Sequence, residues 1–266
     1  MKSPVHTETP FYAFTTAIAD NASAEYAFLS AFLPPMTPLS ALSRTFSTIF
    51  APVFDIGLSF TKNLIGDTMD CIGILLCIRI TQQQAFALQR QKCPVADGWI
   101  NGTNMLLWPK FQNSLDAHID SVKRMTEAVS SAPRATLSLT SNKSDSTINS
   151  IAPHLITQRY GQLVHGILTL TQIPFKTTGM HISAMTDDST PLGSDSEPVG
   201  RSLDRLRSEV ELFLYKIAST LGQGRSNRFL ANNFSLVMTI IADTKGRLAH
   251  EQHQWFKDKL EEVGGI

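Results

Sequence analysis

The chain has 266 residues, with 23 lysines and arginines balancing 23 aspartates and glutamates, 42% apolar residues and 17% charged ones. That is enough for one or two hydrophobic cores. The zero net charge gives no long-range field to draw in DNA, RNA or an anionic bilayer, which argues against dedicated nucleic-acid binding.

The first ten residues carry no apolar run of the kind that marks a secreted chain, so the cytosol is the expected compartment. Three cysteines, Cys71, Cys77 and Cys93, match neither a zinc ribbon nor a redox pair and read as reduced, buried thiols. Two stretches resemble membrane spans. The apolar run Cys71–Ile78 is far too short by itself. The eighteen residues Tyr26–Ser43 are uncharged but interrupted by Pro34, Pro35 and Pro38, and read as a helix end and a loop in water.

Helical periodicity dominates. In chain order, Ala24–Leu33 reads as a short helix, and Leu39–Phe60 as helix interrupted at Pro52 and Gly57. Leu64–Gln91 reads as a central helix, apolar on nearly all sides, whose Arg79 must find a carboxylate or snorkel. A stripe at Leu107, Phe111, Leu115, Ile119, Val122 and Val129 predicts a helix starting after Asn104 and ending before Pro133. Another at Ile156, Tyr160, Leu163, Ile167 and Leu170 follows Pro153, which suits a first helical turn. The clearest seam is Leu203, Leu206, Val210, Phe213, Ile217 and Leu221. The last stripe, Leu230 to Leu260 with Trp255 and Phe256, predicts one long helix from Asn227 to Glu262, bent at Gly246 and packed on the Arg201–Leu221 helix.

No segment shows the period of a strand, so the expected fold is all-α, an elongated antiparallel helical bundle or helical rod. The expected organisation is a flexible N-terminus (1–18), a first bundle segment (19–129), a disordered insertion (130–150), a rod helix (151–172), a disordered acidic linker (173–200) and a second bundle segment (201–262).

Signals for chemistry are absent or broken. His250-Glu251-Gln252-His253 places its histidines three apart, where a zincin needs four and a third ligand. Gly222-Gln223-Gly224-Arg225 follows no strand and lacks the Gly-Lys-Ser/Thr of a phosphate loop, so it reads as a helix cap and turn. No nucleophile elbow occurs. Neither catalysis nor a cofactor or metal is expected. Three groups fit bland packing poorly. Asn232 and Asn233 interrupt an apolar helical run and must reach water or bond to a neighbour. His154, Arg159 and Tyr160 make a polar cluster at a helix start. Trp108-Pro109-Lys110-Phe111 sets two large rings around a proline, as core or as a partner anchor.

These same groups carry a resemblance. Leu106-Leu107-Trp108-Pro109-Lys110-Phe111, then Pro153-His154-Leu155-Ile156-Thr157-Gln158-Arg159-Tyr160, then Phe229-Leu230-Ala231-Asn232-Asn233-Phe234 resemble, in order, motifs of the vacuolar protein sorting-associated protein 52 family. Glu25-Tyr26-Ala27-Phe28 and Leu76-Cys77-Ile78-Arg79-Ile80 are similar to its short aromatic helix and its apolar central helix, and the likeness runs from about Ala19 to Glu262. The resemblance implies a non-catalytic subunit of the GARP and EARP vesicle tethers, helical rods serving endosome-to-trans-Golgi-network retrograde transport. It implies sister subunits, SNARE proteins and a Rab-type GTPase as partners. It also implies a cytoplasmic protein, peripheral on trans-Golgi network and endosomes, whose membrane contact is indirect. Trp108, Pro109, Phe111, Pro153, His154, Arg159, Tyr160, Asn232, Asn233 and Phe234 are then structural or partner-facing. The family has a long N-terminal coiled-coil portion, so the chain reads as a fragment or a reduced subunit beginning downstream of it. The rival readings are a helical adaptor or scaffold outside tethering and an all-helical metal-dependent hydrolase using His250 and His253.

Overall fold

The computed structural model describes residues 6–34, 36–131, 151–172 and 192–264. Among them the elements are α1 (Glu8–Phe32), α2 (Leu39–Ile65), α3 (Cys71–Arg90), a 3-10 turn at Pro94–Ala96, α4 (Asp97–Ser131), α5 (Leu155–Gln172), α6 (Leu192–Ala218), α7 (Gln223–Ile241) and α8 (Arg247–Gly264). No strand occurs among the described residues, and the fold is an all-α helical bundle. The chain divides into two compact units, Met1–Ser114 and Leu115–Ile266, with the division inside α4. It therefore does not fall at the polar stretch 130–150, which lies almost wholly outside the described residues, as does 173–191.

In the first unit α1 packs against α2 and α3. The N-terminus expected to be flexible to residue 18 is helical from Glu8, because Phe11, Thr15 and Ile18 are buried. The predicted Ala24–Leu33 helix is thus the last third of α1. Leu64–Gln91 is not one helix. Asp70 Oδ1 accepts from the amides of Ile72 and Gly73, both at 3.1 Å, and starts α3 as an N-cap. By length and composition α3 could cross a membrane. Here Cys71, Ile74, Leu75, Cys77 and Ile78 are buried, so it is the core helix of this unit. Burial raises the Cys77 thiol pKa to about 12, which fits an inert packed thiol. Arg79 is buried too, and its Nη1 donates to Gln82 Oε1 at 3.1 Å.

α2 runs unbroken through Pro52 and Gly57, against expectation. Pro52 is exposed, so the helix bond that it cannot make leaves a carbonyl free to meet water. Gly57 is buried where α2 meets α1 and α4. A Cβ there would stand 2.8 Å from both Ile18 Cδ1 and Trp99 Nε1. The Trp99 ring stacks on Phe54 at 5.6 Å, and Phe54 continues a ring series with Phe50 and Phe46. Gly57→Ala is therefore expected to destabilise the first unit by about 1–2 kcal/mol despite alanine's better helix propensity. Gly98→Ala, with nothing within 4 Å, should stabilise it by roughly 0.5–1 kcal/mol. Urea unfolding of the two variants checks both signs.

In the second unit α7 is the hub, packed against α5, α6 and α8. The expected Asn227–Glu262 helix is two helices. α7 ends at Ile241, Gly246 takes φ +91°, open to glycine and strained for other residues, and α8 returns from Arg247. The Ile241 carbonyl at the break accepts from Thr244 Oγ1 at 2.6 Å and lies 3.0 Å from His253 Nε2. Folding back brings Phe256 and Trp255 of α8 to 6.1 Å from Phe234 of α7, contacts that a single straight helix could not make. α6 starts at Leu192, inside the expected linker, with Val199 and Gly200 buried. The α4 helix begins at Asp97, so Asn104 lies within it and is not its cap.

Candidate functional site

The two downstream motifs meet at one side chain. Asn233, on α7, is fully buried. Its Oδ1 accepts from the His154 amide at 2.8 Å and from Thr157 Oγ1 at 2.6 Å, and its Nδ2 donates to the Phe229 carbonyl one turn back at 2.7 Å. Its neighbour Asn232 is exposed and donates through Nδ2 to the Ile151 carbonyl at 2.8 Å. Consecutive asparagines thus fasten the segment leading into α5 onto α7. A buried asparagine is tolerated mid-helix because both ends of its amide are bonded.

His154 caps α5. Its carbonyl accepts from the Thr157 amide, and its ring Nδ1 accepts from the Ile156 amide at 3.1 Å. The ring meets Phe213 of α6 edge-on at 5.0 Å. An accepting Nδ1 requires the neutral ring, and burial lowers the histidine's pKa from its usual value. In the unfolded chain, with the ordinary pKa near ~6.5, His154 takes up its proton first as pH falls. The unfolded state is then favoured, and the second unit should lose stability progressively below about pH 6.5, reaching a plateau above neutrality. His154→Asn, which keeps a capping side chain without a titrating ring, should flatten that part of a urea-midpoint profile taken between pH 5 and 8.

Tyr160 packs between α6, α7 and α8. It lines a narrow packing gap, with room for no more than about a water molecule, together with Arg207, Phe234, Val237, Trp255 and Phe256. Its hydroxyl is buried and has no hydrogen-bond partner among the described residues. Burial is the main cause raising its pKa, the Arg207 charge opposing and Asp204 adding to the rise. The Arg207 guanidinium sits 4.6 Å from the Trp255 ring centre and pairs with Asp204 at 3.0 Å. On α8, Lys259 bonds Glu262 at 2.8 Å and Glu211 of α6 at 3.1 Å, which together hold its pKa above the ordinary value.

Of the other predicted positions, Phe234 is buried, whereas Pro153 and Arg159 are exposed. Trp108, Pro109 and Phe111 belong to the first unit. There Phe111 is buried, Trp108 meets it edge-on at 5.9 Å, and Pro109 lies exposed within α4. Lys110 of the same motif donates to the Gly66 carbonyl at 2.7 Å, placing a cation at the C-terminal end of α2. Three contributors were missed in the sequence: Lys110, Thr157 and Arg207. Thr157 stands three residues after the cap on the buried face. Arg207 stands four after Leu203 and three before Val210, the spacing of the α6 seam.

Residues 1–264 match the family described as Vps52, C-terminal. The chain belongs to that family. Among curated relatives, vacuolar protein sorting-associated protein 52 of Schizosaccharomyces pombe is 29% identical over 265 residues, covering 98% of this chain and 44% of the relative. The Saccharomyces cerevisiae protein of the same name is 30% identical over 229 residues, 85% of this chain and 33% of the relative. The Homo sapiens homologue is 23% identical over 229 residues, 85% of this chain and 26% of the relative. The chain thus spans less than half the length of these relatives. No solved structure matches it.

Proposed function

We propose that the chain is a non-catalytic subunit of a vesicle-tethering complex of the GARP or EARP kind. It would act in endosome-to-trans-Golgi-network retrograde transport through helical protein–protein surfaces. It works on the cytoplasmic side, peripheral on trans-Golgi network and endosomes, with sister subunits, SNARE proteins and a Rab-type GTPase as partners and no cofactor. Family membership supports the reading. The carrying observation is the join at Asn233, where the buried halves of two family motifs hold their outer residues in fixed register. Leu155 is 55% exposed, and Arg159 lies one turn further along the same face of α5. Arginine is enriched among protein-binding hot spots, and the exposed leucine beside it adds apolar area for a partner to bury.

The test is affinity purification of the tagged chain from cells, beside Leu155→Asp and Arg159→Glu combined. The parent should recover sister tether subunits, and the variant should lose them with an unchanged melting curve. Recovery of unrelated partners alone would instead favour an adaptor outside tethering.

A further inference from the structure

Two stretches of the second unit carry cations without acids. No aspartate or glutamate occurs from Leu212 to Ala242 or from Ile151 to Gln172, yet these stretches hold Lys216, Arg225, Arg228 and Arg159. All four are exposed, and none forms an ion pair among the described residues. The acids just before Leu212 are engaged elsewhere: Glu211 pairs with Lys259 at 3.1 Å and Glu209 with Lys123 at 4.0 Å.

The fold gathers these cations around the segment that leads into α5. Arg225 and Arg228 stand two turns and one turn before Asn232 on one face of α7, and Asn232 donates to the Ile151 carbonyl at 2.8 Å. On α6, Lys216 is one turn beyond Phe213, whose ring meets His154 at 5.0 Å. The segment is thus flanked by Lys216 on one side and the two arginines on the other, with Ile151 37% and Leu155 55% exposed along it. The arginines do not serve their own helix. α7 has no acid in its first turn and no side-chain N-cap, and cations at the positive end of a helix dipole lower its stability.

From this charge pattern we infer that the surface binds an acidic segment of a partner protein, one that sets aspartate or glutamate beside apolar side chains. The partner's carboxylates meet Lys216, Arg225 and Arg228, and its apolar residues cover Ile151 and Leu155. An arginine fork matches a carboxylate through two parallel hydrogen bonds, and apolar side chains bordered by polar ones, with arginine enriched, make up a protein interface. Other anions fit this surface less well. Headgroup recognition by charge draws on roughly four to eight basic residues in one cluster, whereas here no helix contributes more than two, and the exposed large apolar residues among them are aliphatic, with no aromatic ring to insert. Four cations neutralise only about four phosphates, few for a nucleic-acid site. The inference rests on the partner face proposed above and names the chemistry that this face takes.

The experiment is selection of a random peptide library on the purified full chain, beside the double variant Arg225→Glu and Arg228→Glu. Peptides enriched on the parent should place aspartate or glutamate next to leucine, isoleucine or phenylalanine, and should bind the double variant about tenfold more weakly. Because the new acids complement the α7 dipole, that variant should melt at or above the temperature of the parent. Arg225→Lys with Arg228→Lys, which keeps the charge, should retain more binding than the reversed pair. No acidic enrichment, or equal binding by the parent and the charge-reversed variant, overturns the inference. So does flotation with phosphatidylserine vesicles that the charge-reversed variant abolishes, since the surface would then serve lipid. The selection involves no other cellular protein, so its outcome is separate from whether sister subunits are recovered with the chain from cells.

Discussion

Phe213→Asp or Val237→Asp is expected to unfold the second unit. Each side chain is only 1% exposed, and they lie on α6 and α7, which pack together as the matching seams predict. An aspartate in either place would have to remain ionised without a partner or protonate in an apolar setting. The loss of packing and the unpaired polar group together cost about 5 kcal/mol, comparable to the whole stability of a small domain. Leu212→Asp is the matched control. It neighbours Phe213 but is 55% exposed, so its effect should stay within about 0.5 kcal/mol. Hydrogen exchange read by mass spectrometry should show protection lost from the α6 and α7 amides in the two buried variants and retained in the control. Retained protection in the buried variants would refute the pairing of these helices.

The second large effect is at Asn233. Asn233→Ala removes the acceptor for the His154 amide and the Thr157 hydroxyl together with the donor to the Phe229 carbonyl. Since Thr157 is fully buried, its hydroxyl loses its partner without gaining water, and the expected loss is about 2–4 kcal/mol. Asn232→Ala should cost no more than about 1 kcal/mol, because its single bond lies at the exposed surface. The decisive comparison is Thr157→Val in the Asn233→Ala background. With the orphaned hydroxyl gone, part of the lost stability should return, although Thr157→Val alone destabilises the parent. Strict additivity of the two changes would mean that the bond carries no energy.

The sequence was informative wherever a property is carried locally. The periodic apolar positions determined that the chain is all-helical, and Leu203, Leu206, Val210 and Phe213 are buried as their spacing requires. The three motifs identified the family, and the oddity of Asn233 in an apolar run foretold a bond to a neighbour. Boundaries were less legible. A proline at 52 reads as a break, yet it faces water, where one unmade helix bond is tolerated. Buried faces also rotated by a residue. On α5 the core takes Gly161, Val164 and Leu168 instead of Leu163 and Leu170, because a Cβ on Gly161 would stand 2.8 Å from Ile240 Cδ1 of α7.

Helix type follows from repeats a few residues long, and each residue reports its own preference for burial; these needed nothing beyond the chain itself. Which residues meet across the fold was decided only in three dimensions. Asn233 and His154 are 79 positions apart, and no local signal fixes such a pairing. The turn at Ala242–Gly246 likewise depends on what it brings together: it is favoured because Trp255 and Phe256 can then close over Phe234. Contacts of that kind are rewarded only after the intervening chain has folded, so their energy belongs to the packed unit and leaves little trace in either partner's surrounding sequence.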